Sequence, residues 1–194
     1  MLASASATRR DMLLCAGVPV ETVPAMVDEA GMKASAKTHG LKAGELALRL
    51  AEMKASRISA RQPEALVIGA DQVLDCADEW FDKPRDLTEA AAHIRRLRGR
   101  SHRLETGVVC MRGGTMIWHH AEAPRLSMRS VSDAFIADYL AREGDALLGS
   151  VGAYRLEGLG IQLFDRIEGD FFTILGLPLL PLLGYLRQAG EIQP

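Results

Sequence analysis

Ala65-Leu66-Val67-Ile68-Gly69-Ala70, followed by Asp71-Gln72, is the stretch on which the reading of the fold turns. A continuous run of apolar and small residues, with no alternating polar ones, describes a strand covered on both faces. It puts Asp71 at the carboxyl end of that strand, where open α/β sheets bind ligands. Upstream, Leu41–Ser59 carries Leu46, Leu50 and Met53 at helical spacing and reads as the longest helix. Residues 25–39 are polar, contain glycine, show no period and read as a loop. Farther back, Pro19–Pro24 is extended and Leu2–Ser4 ends a short strand. Ser6 then caps a helix over Thr8–Ala16, with Leu13 and Leu14 on one side.

Downstream, Thr88–Arg98 is amphipathic and stops at Gly99. Leu104–Met111 and Thr115–Met128 read as two strands joined at Gly113-Gly114. Val131–Arg142 is a helix capped by Ser132, Ile161–Ile167 a strand, and Pro178–Gln188 the closing helix. Strands and helices mix without strict alternation, so the expected class is α/β, a mixed sheet with flanking helices.

The 194 residues suit a single domain over 1–194, or one core with two lobes. A chain this long buries roughly 70% of its unfolded surface, enough to fold without disulfide or metal. Apolar residues at 48% against 25% charged exclude a disordered chain. A net charge of −2 argues against a broad basic face, hence against nucleic acid as partner. Cys15, Cys76 and Cys110 are scattered and show no metal spacing, so they read as buried thiols in a reducing cytosol. His119-His120 has no ligand partners at metal spacing. The Ser-, Ala- and Arg-containing start is interrupted by Asp11 and followed by no secretory apolar core. Leu175–Leu186 is apolar but too short to span a bilayer and carries Pro178 and Pro181. The expectation is a soluble, cytoplasmic protein with no membrane partner.

Four places carry chemistry suited to a polyphosphate, which brings about four negative charges and needs cations, oriented amides and usually a divalent metal. Ser6, Arg9 and Arg10 stand where a strand turns into a helix, a natural anion position. Arginines there oppose the helix dipole unless an anion is present; two solvated arginines on a capped surface helix give the same pattern. Asp71 could hold a cation or take a proton from water, or simply end a strand. Lys83, fixed in an extended backbone by Pro84, presents its amine in a defined direction, as many turn lysines do. Asp28-Glu29 offers a further carboxylate, or a solvated acidic pair.

In their order, these stretches resemble the Maf family of nucleotide pyrophosphatases, from Leu2 to about Arg187. The matching blocks are LASAS-A-T-RR at 2–10, VDE at 27–29, Lys54, IGADQV at 68–73 and DKP at 82–84. LRGRSH at 97–102 with Thr106-Gly107, and GAYRLEGLGIQLFDRIEGDFFTILGLPL at 152–179, complete them. The resemblance implies an elongated α/β fold like that of inosine triphosphate pyrophosphatases, two lobes around a cleft, and a homodimer. It implies hydrolysis of a nucleoside triphosphate to monophosphate and pyrophosphate with Mg²⁺ or Mn²⁺. By the same resemblance Asp71 is the catalytic proton acceptor, and Ser6, Arg9, Glu29, Lys54 and Lys83 line the phosphate and metal region. Glu29 and Asp71 are then the metal ligands.

Two departures bear on specificity. Ala7-Thr8 stand where the family often has Pro-Arg. Gln72 and Glu157 replace the Thr and Gln typical of members selective for thymidine and uridine triphosphates. Gln72 and Glu157 look like the branch that prefers 7-methyl-GTP, although Thr8 is not the tryptophan some of that branch carries. Glu157 could accept hydrogen bonds from N1–H and the N2 amine of guanine and would favour a cationic base. An aspartyl-phosphate phosphatase is the rival enzyme, and Val73 stands where its second aspartate would be. A non-catalytic nucleotide-binding regulator of cell division or septum formation is the rival of another class.

Overall fold

The apolar run at 65–70 does become a strand, but a longer one: in the computed structural model, which describes residues 1–193, β1 spans Val67–Cys76. Asp71 therefore lies inside the strand and not at its carboxyl end. The strand continues because Val73 and Leu74 are also buried and the Gln72 side chain finds polar partners. The last residue of the expected domain, Pro194, lies outside the described residues.

The other elements are α1 (Ala7–Cys15), α2 (Glu29–Thr38), α3 (Ala43–Ser59), β2 (Glu79–Phe81) and α4 (Leu87–Leu97). After them come β3 (Ser101–Arg112), β4 (Thr115–Glu122), β5 (Arg125–Met128) and α5 (Asp133–Glu143). Then follow β6 (Phe164–Glu168), α6 (Phe171–Ile174) and α7 (Leu179–Gln188). The result is an α/β protein with one six-stranded sheet, ordered β2-β1-β3-β5-β6 with β4 on β3, and flanking helices. The ladders β1–β2, β3–β4, β3–β5 and β5–β6 are all antiparallel. Parallel pairing, which the expected mixed sheet required, occurs outside them as single bridges of Leu2 to Thr22 and Ile68.

Other expectations shift for local reasons. The loop at 25–39 contains α2, because Asp28 caps the Gly31 N–H at 2.9 Å and the residues after Gly31 favour helix. In α1 Leu13 is buried but Leu14 is exposed; Met12 takes its place inside. The segment 115–128 is two strands, interrupted at Ala123-Pro124, since proline has no N–H for the ladder. At 161–167 the strand begins only at Phe164, after a 3-10 turn over Leu159–Leu163. Cys15 is exposed, while Cys76 and Cys110 are buried as expected.

The chain divides into two compact units. The first comprises Met1–Gln72, Glu105–Ala123 and the described residues from Asp170 onward. Its core gathers Leu2, Leu13, Ile68, Val108, Leu177 and Leu182. Helix α3 lies unusually close to the sheet: a Cβ added at Gly69 would fall 2.2 Å from the Ala51 carbonyl oxygen and 2.9 Å from the Ala55 Cβ. A Cβ at Gly107 of β3 would be 2.9 Å from the Leu48 Cα. Ala47, Ala51 and Ala55, all buried, form the matching helix face.

The second unit comprises Val73–Leu104 and Pro124–Gly169. Ile94, Leu97, Ile136, Tyr139 and Leu147 are buried in it, and α4 packs on α5. His102 is buried with its Nε2 2.8 Å from the Tyr154 hydroxyl. Burial pushes its pKa from the ordinary 6.5 down to about 4.

Two predictions follow from these contacts. Gly69→Val should destabilise the protein by about 2–3 kcal/mol through overpacking against α3; an unchanged urea midpoint would mean that the helix retreats freely. Because the fold prefers neutral His102, the stability it contributes is complete above pH 6.5 and declines as pH drops towards 4. A His102→Phe variant should lose less stability across that window than the parent, as read from thermal unfolding at each pH. Parallel pH profiles would contradict this.

Candidate functional site

In the first unit the close approach of α3 to β1 delivers Lys54, one helical position before Ala55, onto Asp71. The Lys54 Nζ donates to Asp71 Oδ1 and lies 2.8 Å from Glu29 Oε1. Lys54 and Asp71 are both buried. Glu29 comes from the first turn of α2, where the helix dipole favours a carboxylate. Two acids and one ammonium from three separate elements thus share one centre.

Arg9 joins them from α1. Its Nε donates to the Gly176 carbonyl at 2.7 Å and its Nη1 to the Ala70 carbonyl at 2.9 Å. Burial pushes its pKa below the usual value, opposed by the charges of Asp71 and Glu29. Gly176 adopts φ +106, and a side chain there would press on the Arg9 guanidinium at 3.3 Å. Ser6 caps α1, its hydroxyl accepting from the Arg9 N–H at 3.3 Å. Arg10 is different: it pairs with its exposed neighbour Asp11 at 2.7 Å. Thr8 is exposed on α1.

Gln72 is anchored inside the same unit. Its Nε2 donates to Thr106 Oγ1 at 2.8 Å and to the Thr173 carbonyl at 2.9 Å, which fixes which end of the amide is nitrogen. Thr173 Oγ1 donates to Glu122 Oε2 at 2.7 Å, and Glu122 Oε1 contacts His120 Nε2 at 2.9 Å. Sequence reasoning missed this support. Thr106 lay within a matching block, but nothing in the spacing linked it to Gln72, and the β3–β4 register that brings Glu122 opposite Thr106 is not written locally.

Lys83 and Glu157 belong to the second unit. Lys83 is exposed, ahead of the buried Pro84. Glu157 Oε1 lies 3.2 Å from Arg155 Nε. The structure therefore brings Ser6, Arg9, Glu29, Lys54, Asp71 and Gln72 together in one unit, with Lys83 and Glu157 in the other.

Among the described residues no group of three or more His, Cys, Asp or Glu is arranged to hold a metal. Glu29 and Asp71 nevertheless converge on one positive centre, the Lys54 ammonium. Such a pair suits a hard divalent ion whose remaining ligands are water and phosphate oxygens. No helix among the described residues is long and apolar enough to cross a membrane.

Lys54→Met should cost about 3 kcal/mol, since it leaves the buried Asp71 without its counter-charge. Adding Asp71→Asn should return most of that loss. Denaturant midpoints of the single and double variants check this; additive losses would show that the two side chains are not coupled.

Comparison with known proteins gives a consistent result. The family model described as Maf-like protein matches residues 1–189. A protein of Granulibacter bethesdensis named nucleoside triphosphate pyrophosphatase is 58% identical over 97% of this chain and 95% of its own. One of the same name from Paramagnetospirillum magneticum is 52% identical over the full length of both. A protein of Rhizobium etli named 7-methyl-GTP pyrophosphatase is 48% identical over 99% of this chain and 96% of its own.

Proposed function

The chain belongs to the Maf family, and from that premise we propose how it hydrolyses nucleoside triphosphates to monophosphate and pyrophosphate. The observation that carries the reading is the Lys54–Asp71–Glu29 cluster beside Arg9. With two carboxylates, one ammonium and one guanidinium, the group is close to neutral, so an incoming triphosphate meets no uncompensated negative charge.

In this reading Arg9 binds phosphate oxygens. Its Nε and Nη1 are fastened to main-chain carbonyls, so the remaining nitrogen is held in a fixed direction. Lys54 and Lys83 take further phosphate oxygens, and Ser6 with the first turn of α1 receives an anionic oxygen at the helix start. Glu29 and Asp71 would hold a divalent ion such as Mg²⁺ or Mn²⁺, which when bound lowers the charge of the triphosphate. Lys54 holds Asp71 by Oδ1. The second oxygen takes the proton of a water as the water oxygen bonds to the α-phosphorus. The bond from that phosphorus to the bridging oxygen breaks, and pyrophosphate leaves with the electron pair. A positioned base of this kind supplies about 10²–10⁴-fold.

Glu157 takes the nucleobase in this reading, accepting from the N1–H and N2 amine of guanine, and Gln72 and Thr8 complete the specificity set. The assignment is to the branch that favours 7-methyl-GTP. Supporting it are the residue types at 72 and 157 and a relative bearing that name. The homodimer that the resemblance implies, and the cytoplasmic setting expected from the scattered thiols and the short apolar segments, belong to the same reading.

Asp71→Asn should retain the fold and nucleotide binding while lowering kcat at least about 100-fold. The check is pyrophosphate release with and without Mg²⁺, alongside nucleotide binding by calorimetry. A rate within threefold of the parent would remove Asp71 from the role of base, and orthophosphate as the first product would favour the phosphatase.

A further inference from the structure

The second unit contains an ion-pair cluster that the reaction as described does not use. Arg155 sits between two carboxylates, with Nη1 3.1 Å from Glu143 Oε2 and Nε 3.2 Å from Glu157 Oε1. Glu143, the last residue of α5, has a side chain only 8% exposed. Its other oxygen accepts the Leu159 N–H at 2.8 Å. The Arg155 N–H in turn donates to the hydroxyl of Tyr139, one turn earlier on α5, at 3.3 Å. Residues 155–159 are thus fastened to α5 at both ends, and Glu157 stands in the middle. Space beside the fastening is small: a Cβ at Gly158 would fall 2.7 Å from Glu143 Oε1, at the end of a side chain, while one at Gly160 would fall 2.3 Å from the Arg155 carbonyl oxygen, main chain that cannot swing aside.

We infer that Arg155, held in place by Glu143, is a positioning residue that sets the direction and the effective charge of Glu157, and thereby the choice between a neutral purine and a cationic one. The inference rests on the reading above in which Glu157 meets the base. One guanidinium is divided between two carboxylates, so the cluster carries a net charge of −1. How much of that charge Glu157 shows to a ligand depends on how firmly Glu143 claims the arginine. The N7 position lies away from the N1–H and N2 amine of guanine, so at mildly acid pH, where the methylated base keeps its more acidic N1–H, methylation leaves the donors facing a carboxylate in place and adds a positive charge. Measured at that pH, the ratio of kcat/KM for 7-methyl-GTP to that for GTP reports charge at Glu157 and not hydrogen-bonding capacity. Arg155 and Glu157 are each about one-third exposed, which limits the effect to a few-fold.

The test measures that ratio in the full-length protein and five variants, with the fold of each checked by circular dichroism. Glu157→Gln should lower the ratio. Arg155→Met should raise it about two- to fivefold, because Glu157 loses its counter-charge. Glu143→Gln should lower it by a similar factor, because Arg155 turns wholly to Glu157 while the Leu159 N–H keeps an acceptor. Neither Arg155→Met nor Glu143→Gln should move the ratio when combined with Glu157→Gln. A purely structural role would depress both nucleotides equally and leave the ratio flat, which overturns the inference. If Glu157→Gln shifts the ratio and the other two single variants do not, the inference alone falls. If Glu157→Gln itself leaves the ratio unchanged, the assignment of Glu157 to the base falls and takes the inference with it. Should Arg155→Met not fold, Glu143→Gln decides: a drop supports the inference, and no change overturns it.

Discussion

The proximity of α3 to the sheet governs the first unit. Two strand glycines, Gly69 and Gly107, remove the side chains that would hold a helix at the usual distance, and Ala47, Ala51 and Ala55 do the same from the helix side. A lysine on a helix at ordinary spacing would have to extend across a layer of side chains. Here Lys54 reaches Asp71 directly, because nothing larger than a methyl group separates the two backbones near Ala55 and Gly69. Burial of the pair follows from the same packing, since a close interface excludes water from both charges. The absence of bulk at these five small residues is therefore what creates the charged centre.

A second constraint works on Gln72. The first unit is assembled from three stretches of chain, and Gln72 ends one of them, while Thr106 and Thr173 stand near the beginnings of the other two. One amide nitrogen bonded to both residues ties the three stretches where they enter or leave the unit. Asp71 is adjacent to that knot, so its backbone is held from the side opposite Lys54 in sequence. The Thr173 hydroxyl carries the support on to Glu122, whose carboxyl is kept below its ordinary pKa by hydrogen bonds from Thr173 and His120 in spite of partial burial.

Features written in a few neighbouring residues were legible before any coordinates. Ser6 and Ser132 cap helices where their side chains and the following residues said they would. The hairpin at Gly113-Gly114 and the long helix around Leu46 and Leu50 are there as well. What escaped depends on contacts made elsewhere. Gly31 suggested a loop, yet the cap at Asp28 outweighs one poor helix former. Asp71 looked terminal because it is charged, but its carboxylate is paired with Lys54, and the buried Val73 and Leu74 carry the strand on past it. For the site, the individual residues of the phosphate cluster were readable by type and order. Their supports, Thr106, Thr173 and Glu122, were not, because each acts through a partner at least 34 residues away.

Arg9 makes a different kind of contact from the acids. Its two described acceptors, at Ala70 and Gly176, are peptide carbonyls, which every amino acid possesses. No change of side chain at position 70 or 176 deletes an acceptor; only a movement of the main chain, or bulk at the crowded Gly176, can do so. The guanidinium is thereby insulated from genetic drift at the positions it touches. Divergent descendants of this chain can vary the apolar surroundings of β1 and the turn before α7 and still inherit an arginine aimed the same way.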